Sequence, residues 1–572
     1  MILVLLNWTF ILIFLLPAGF VSLTLLLRAS NLRASYLSFS GVMLAGLVVL
    51  TTLCNVFSLF MAIDYKVNLI LGVVVYGFLF FLRTEFIKNT VKWLEILKTL
   101  HLSTKLAFLL IFIIALIKTI SPSENADEAG YHLPLIRWIE DYSIVPGIAN
   151  IEDRIGFNPG IYMSNAFFSM RWLFTEGLYD LNSFLFLIFG AFFLSGLERF
   201  ITKDFSYIYS GIIQIGALVF LFRAYLTSVD ADFIYIYGII YILILVLQKI
   251  ESSTLSQPSV HIAMIFLLFT FIFTNKFSVV LLSPIILWIL WGIIAKQHFR
   301  FVFTILAACT FILSSWILRN YFISGYLIYP LYFIDVFNVD WKVPIELTKG
   351  QYFYVSEYAK IEETRPFNQY IIREVPFKEW ISGWFSRVGA LLIGKIIIPG
   401  IPISFILFFY LIIVKNKKWD KVHNQYMALI FFLIIATLIW IIRIPAIRFA
   451  WGWLIVLFVL TASMSFQKIL VAKITIIRIM LIVVLFASLL RSSIASFINY
   501  PLFLSNWFYP SPIMKGSVSK VVKWGDEKIY IATDNFCGNI TPPCLPEKYH
   551  PNLVLRGNKV KNGFKITSNG GE

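Results

Sequence analysis

The sequence predicts an all-α polytopic membrane protein with about fourteen transmembrane helices, extracytoplasmic loops and a small soluble C-terminal tail. Three observations lead there. Mean hydropathy is +0.83, and 59% of the 572 residues are hydrophobic against 14% charged, which excludes an ordinary soluble domain. Apolar runs near the roughly 20 residues needed to cross a hydrocarbon core recur along almost the whole chain. Lys and Arg gather in short clusters between those runs, so the net charge of +16 reads as a topology signal rather than a nucleic-acid surface.

The elements follow in order. Met1–Leu27 lacks a basic leader and is long enough to span, so it reads as a retained first helix. Spans are expected at 2–27, 38–62, 67–82 and 104–120, then at 180–197, 207–222, 232–248, 260–274, 277–295 and 301–318. Four more follow at 388–413, 426–442, 447–466 and 475–495, and only Thr274-Asn275-Lys276 divides the pair at 260–295. Thr84–Thr104 mixes Trp93, Leu94, Ile96, Leu97 and Leu100 with lysines, as an interface helix or a plain connecting helix would. Residues 1–103 therefore form an N-terminal unit, 104–495 the main membrane region, and 496–572 the tail.

Sidedness comes from the basic clusters. Alternate loops hold Arg28 and Arg33; Arg83, Lys88, Lys92, Lys98 and Lys105; Arg199 and Lys203; and Lys249. The series continues with Lys296 and Arg300; Lys415, Lys417, Lys418 and Lys421; and Lys468, Lys473 and Arg478. With the N terminus outside, all of these fall on the inner side. The loops at 121–179 and 319–387 and the tail then lie outside. There Cys537 and Cys544 flank Gly538-Asn539-Ile540-Thr541-Pro542-Pro543 and are expected to pair as a disulfide in an oxidising compartment. Zinc is disfavoured, with His550 the one histidine nearby. Cys54 and Cys309 lie within spans and read as packing residues.

The loop 121–160 concentrates chemistry-bearing side chains directly beyond an apolar helix. Asp127, Glu128, His132 and Arg137 can share one short helix, with positions 128 and 132 on one face. A partly desolvated carboxylate at a membrane boundary, near a cation, can serve as a general base. Solvated helix-capping is the plain alternative. Glu140-Asp141 and Glu152-Asp153 read as helix-end or solvent-facing charges, and 161–175 as a segment that packs back without crossing. A second set, Lys276, Arg319, Arg443 and Arg448, lies near the outer ends of predicted spans and suits phosphate recognition, though each alone suits snorkelling to head groups. Asp230 and Asp232 precede a span, where they join the acidic site, hold a divalent cation or cap the helix. No P-loop, dinucleotide fingerprint or HExxH motif is present in the sequence.

The outer-loop segment DEAGYHLPLIRW, the later WILRNYFISGYLIYP and PAIRF together resemble the GT-C superfamily of integral-membrane glycosyltransferases, over roughly residues 100–495. The RN…SGYLIYP stretch and the tail sequence CGNITPPCLPEKYHPNLVLRG resemble a bacterial branch of that class. One departure is that four spans precede the acidic loop, three more than the single span after which GT-C enzymes present it. The resemblance implies a multi-pass protein of a bacterial inner membrane with its active site on the extracytoplasmic side. It also implies a polyprenyl-phosphate-linked sugar donor, held among membrane lipid, and a glycan, lipid or protein acceptor. Asp127, or else Glu128, would take the proton of an acceptor hydroxyl in an inverting displacement. Lys276, Arg319, Arg443 and Arg448 would stabilise the departing phosphate, with His132 and Arg137 among the substrate-binding residues. A transporter or flippase of lipid-linked glycans, a glycan ligase or polymerase using a diphosphate donor, and a non-catalytic scaffold are the competing readings.

Overall fold

A computed structural model describes residues 1–32, 36–121, 123, 125, 127–174, 176–204, 206–219, 226–361, 374–391, 394–414, 421–467, 472–499, 508, 516–533 and 536–567. The basic-loop residues Arg33, Lys415, Lys417, Lys418 and Lys468 lie outside them. Within the described residues, 12 helices are long and apolar enough to cross a membrane, and the chain is a polytopic helical membrane protein. Two further apolar helices, Ile208–Val219 and Val260–Phe273, are shorter. They sit at two of the expected fourteen spans.

Local sequence explains where the helices begin. Ser38 starts Phe39–Phe57 by accepting from Gly41 N–H, Asp64 starts Tyr65–Thr99 by accepting from Lys66 N–H, and Ser259 starts Val260–Phe273 by accepting from Ile262 N–H. Helices Ile2–Ala29 and Phe39–Phe57 cross so closely that a Cβ on Gly19 or Gly46 would collide with the other helix's backbone. That close crossing at small residues is how helices gain contact where lipid offers no hydrophobic drive. Asp232–Glu251 lies at the centre, 94% of its apolar window buried. Tyr65–Thr99 and Gly394–Val414 are peripheral and show apolar side chains such as Phe80, Phe81, Ile406 and Ile413 outward, as lipid-facing helices do.

Three expectations are corrected. Thr84–Thr104 is not a separate helix: residues 84–99 continue the third span as one helix, Tyr65–Thr99, of 35 residues, and residues 102–104 begin Leu102–Thr119. No Gly or Pro interrupts residues 78–99, and at 1.5 Å per residue the helix is about 52 Å long, well beyond a core of about 30 Å. Its lysine-rich half therefore projects past the apolar layer. All-α describes the membrane region alone, because the tail carries five short strands among its described residues. β1 (Val518–Trp524) pairs antiparallel with β2 (Glu527–Ala532), β2 pairs parallel with β3 (Cys544–Leu545), and β4 (Leu553–Leu555) forms a ladder with β5 (Phe564–Ile566).

The third correction concerns charges read as solvent-facing. Glu140 is 7% exposed and meets Arg137 at 3.6 Å and Arg171 at 3.4 Å, while Asp141 meets Arg171 at 2.5 Å. Glu152 holds Arg154 at 2.6 Å. These pairs brace the first loop against itself. Helix Ile161–Phe168, buried along its whole length, packs under that loop and is too short to cross. The tail is not pendant either. Phe564 N–H donates to Pro146 O at 2.9 Å, Phe564 stacks edge-on to Trp138, and Arg556 meets Asp340 at 2.9 Å. Cys537 and Cys544 form a disulfide, as their spacing suggested.

Candidate active site at the ends of the spans

Asp127 sits where helix Leu102–Thr119 has ended and the first loop turns. Asn125 builds the turn: its side-chain oxygen accepts from Asp127 N–H at 3.1 Å, and its amide donates to Ser228 and Asp230 at 3.2 Å each. Residues Glu128–His132 then form a π turn, closed by Leu133 N–H donating to Glu128 O. The Asp127 carboxylate emerges from this turn 44% exposed, 3.3 Å from Arg154. Arg154 also lies 4.7 Å over the Tyr131 ring.

Asp127 opens into a cavity of about 550 Å³. Arg154, Arg387 and Arg448 share its lining, so three arginines and one aspartate border one space. Its walls are aromatic, with Tyr354 and Tyr358 from helix Ile345–Ile361, Trp384 from Phe377–Ala390, and Phe449 and Trp451 from Ile447–Ser465. The Pro445-Ala446 break between spans also lines it. Trp384 donates to Pro445 O at 2.8 Å and Trp440 to Ala446 O at 2.9 Å. Those indole bonds satisfy carbonyls that the break releases. A larger cavity of about 1190 Å³ lies between helices Ile2–Ala29 and Tyr65–Thr99, and no candidate catalytic residue lines it.

Behind the cavity, Asp232 at the first turn of the central helix contacts Lys276 and lies 3.6 Å from Arg448. Lys276 also sits 4.7 Å from the Phe449 ring. Asp230 accepts from Asp232 N–H at 2.8 Å, so Asp230 plays the capping role while Asp232 neutralises two cations. With Asp232 engaged this way, the pair is no cation cradle. No group of three or more His, Cys, Asp or Glu side chains among the described residues is placed to hold a metal ion.

Several candidates are placed elsewhere. Glu128 does not line the cavity; it is 3% exposed and accepts from Ser123 at 2.5 Å. His132 packs between Tyr131 and Tyr162 and does not line the cavity, and burial pushes its imidazole down to about 4. Arg137 turns away to Glu140 and, at 3.4 Å, to Thr541 of the tail. Arg319 is 3% exposed and donates to Ser58 at 2.7 Å and Asn158 at 3.4 Å. Asn158 in turn takes a left-handed φ of 43°, donates to Asn320 and accepts from Trp316, so Arg319 locks the first loop onto helix Phe299–Ser324. Arg443 lies outside the cavity lining, with its side chain 68% exposed and 3.7 Å from Glu374. Arg154 and Arg387, not singled out by sequence, take the places of Arg319 and Arg443.

Residues 1–455 match a family described as a domain of unknown function, DUF8201. The chain belongs to the DUF8201 family. No curated protein and no solved structure matches it. Asp127, Arg154, Arg387 and Arg448 all lie within the DUF8201 match, whereas the strands of the tail lie beyond it.

The acidic turn of this DUF8201 chain carries a pH signature. Burial pushes the Glu128 carboxyl up to about 7, reinforced by Asp230 and opposed by hydrogen bonds from Ser123 and Ser228. A carboxyl raised on folding adds stability that is complete below its unfolded value of 4.5 and lost as pH rises through about 7. Glu128→Gln is therefore expected to be more thermostable than the parent at pH 8 and to lose that advantage by pH 4. Equal melting temperatures at pH 8 would remove Glu128 as the source.

Proposed function

We propose that this protein is an inverting glycosyltransferase that moves a sugar from a polyprenyl-phosphate donor to an acceptor hydroxyl on the extracytoplasmic face. The observation that carries the reading is the convergence of one carboxylate, Asp127, with Arg154, Arg387 and Arg448 on one aromatic-walled cavity at the span ends. Aromatic faces suit the C–H surface of a sugar ring. Guanidinium groups suit a phosphate. An isoprenoid chain can lie among the lipid-facing spans while its phosphate stays at their ends. The inner-side clustering of basic loops and the disulfide in the tail support the extracytoplasmic placement.

The chemistry is a single displacement. The acceptor oxygen attacks the anomeric carbon as Asp127 takes its proton, and the bond from that carbon to the phosphate oxygen breaks. Its electron pair leaves on polyprenyl phosphate, where Arg448 and Arg387 offset the growing charge. Arg154, 3.3 Å away, aims the Asp127 carboxylate. Purified protein incubated with a panel of polyprenyl-phosphate sugars is expected to release polyprenyl phosphate. Arg448→Ala should cut that release by about 10²-fold, the usual cost of one electrostatic donor. Translocation of the lipid-linked sugar without bond cleavage would move the assignment to a flippase.

A further inference from the structure

The turn that carries Asp127 cannot complete its own hydrogen bonding. Leu133 N–H closes the π register on Glu128 O, and the next donor in that register, for Ala129 O, falls to Pro134, which has no N–H. The tail supplies the bond instead: Gly538 N–H donates to Ala129 O at 2.9 Å. Phe536, two residues earlier, lies over Gly130, where a Cβ would meet its ring in ordinary contact at 3.7 Å, with Arg154 at 3.4 Å. Thr541 accepts from Arg137 at 3.4 Å. Gly538 and Thr541 both lie inside the loop closed by Cys537 and Cys544. Gly538 takes φ +51°, a left-handed conformation that glycine reaches without steric cost.

We propose that the disulfide-closed loop Cys537–Cys544 is a positioning element of the acidic site. It lends the backbone donor that Pro134 denies the Asp127–His132 turn. The carboxylate facing the cavity is thereby set by a segment more than 400 residues away in sequence. Gly538 touches no reacting atom and acts through Ala129. The structural claim stands on these contacts; its catalytic consequence rests on the transfer reading above.

The test uses the full chain in detergent or nanodiscs. A phosphine reductant, or Cys537→Ser with Cys544→Ser, is expected to speed hydrogen exchange over residues 127–141 while leaving 232–251 protected. Cys54 and Cys309 are free already, so reduction acts on the tail pair. In the transfer assay kcat should fall roughly 10- to 100-fold with KM within about twofold, as expected when a reacting group loses its placement. Pro134→Ala restores an N–H beside Ala129 O and should retain both protection and turnover under reduction. Unchanged exchange over 127–141 on reduction overturns the proposal, as does a Pro134→Ala chain that remains as sensitive as the parent. Faster exchange over 127–141, rescued by Pro134→Ala, in a chain that transfers no sugar would overturn the transfer reading and support the positioning role.

Discussion

Asp127→Asn is expected to lower sugar transfer by about 10²–10⁴-fold, the usual range for loss of a general base. The amide keeps the carboxylate's shape, so the acceptor should still bind and KM should move little. The fold should tolerate the change. Asp127 is 44% exposed and Arg154 retains Glu152 at 2.6 Å, so no charge is left buried without a partner. A surface-level change of this kind costs within about 0.5 kcal/mol. Membrane insertion and thermal unfolding should match the parent, which separates loss of chemistry from loss of structure. Release of polyprenyl phosphate at the parent rate in this variant removes Asp127 as the base, and with it the reason for assigning catalysis to this cavity.

Glu128 gives the complementary control. Asp127 beside it is also a carboxylic acid, yet the Glu128 carboxyl meets Ser123 and does not line the cavity. Sequence could offer the two only as a pair, because the π turn that sends adjacent side chains to different surroundings depends on Pro134 and on a donor from the tail. A helix-face argument places positions 128 and 132 together, but it presumes an α register that this turn does not have.

The same limit recurs across the site. Apolar runs located the helices well, since length and hydropathy are local properties. Rotation about a helix axis is not local. Arg319 and Arg448 both sit near span ends, yet Arg448 faces the cavity while Arg319 faces Ser58 and Asn158. Arg154 was hidden in Glu152-Asp153-Arg154, which reads as a solvated charge run until the loop folds onto Tyr131. Arg387 needed the packing of Phe377–Ala390 against Ile345–Ile361, where it donates to Lys360 O. The lysine-rich half of Tyr65–Thr99 was separable from its span only by hydropathy, and the backbone does not break where hydropathy falls.

Asp232→Ala is expected to destabilise the protein by roughly 3–5 kcal/mol, the cost of leaving a buried ion without its partner. Asp232 is 1% exposed and sits between Lys276, 21% exposed, and Arg448, 43% exposed. The weight falls on Lys276. Water screens much of the Arg448 contact, and such partly exposed pairs contribute about 0–1 kcal/mol. Removing both members of the buried contact, as Asp232→Ala with Lys276→Met, should therefore recover most of the loss. Thermal unfolding of the four proteins of this double-mutant cycle measures the coupling directly. A double variant as unstable as Asp232→Ala would show that the helix start, and not the charge pair, needs the aspartate. Recovery of stability without recovery of transfer would show more: Arg448, no longer drawn back by Asp232, would have lost its place on the cavity wall. Asp232 would then serve to aim a guanidinium as well as to pair with Lys276.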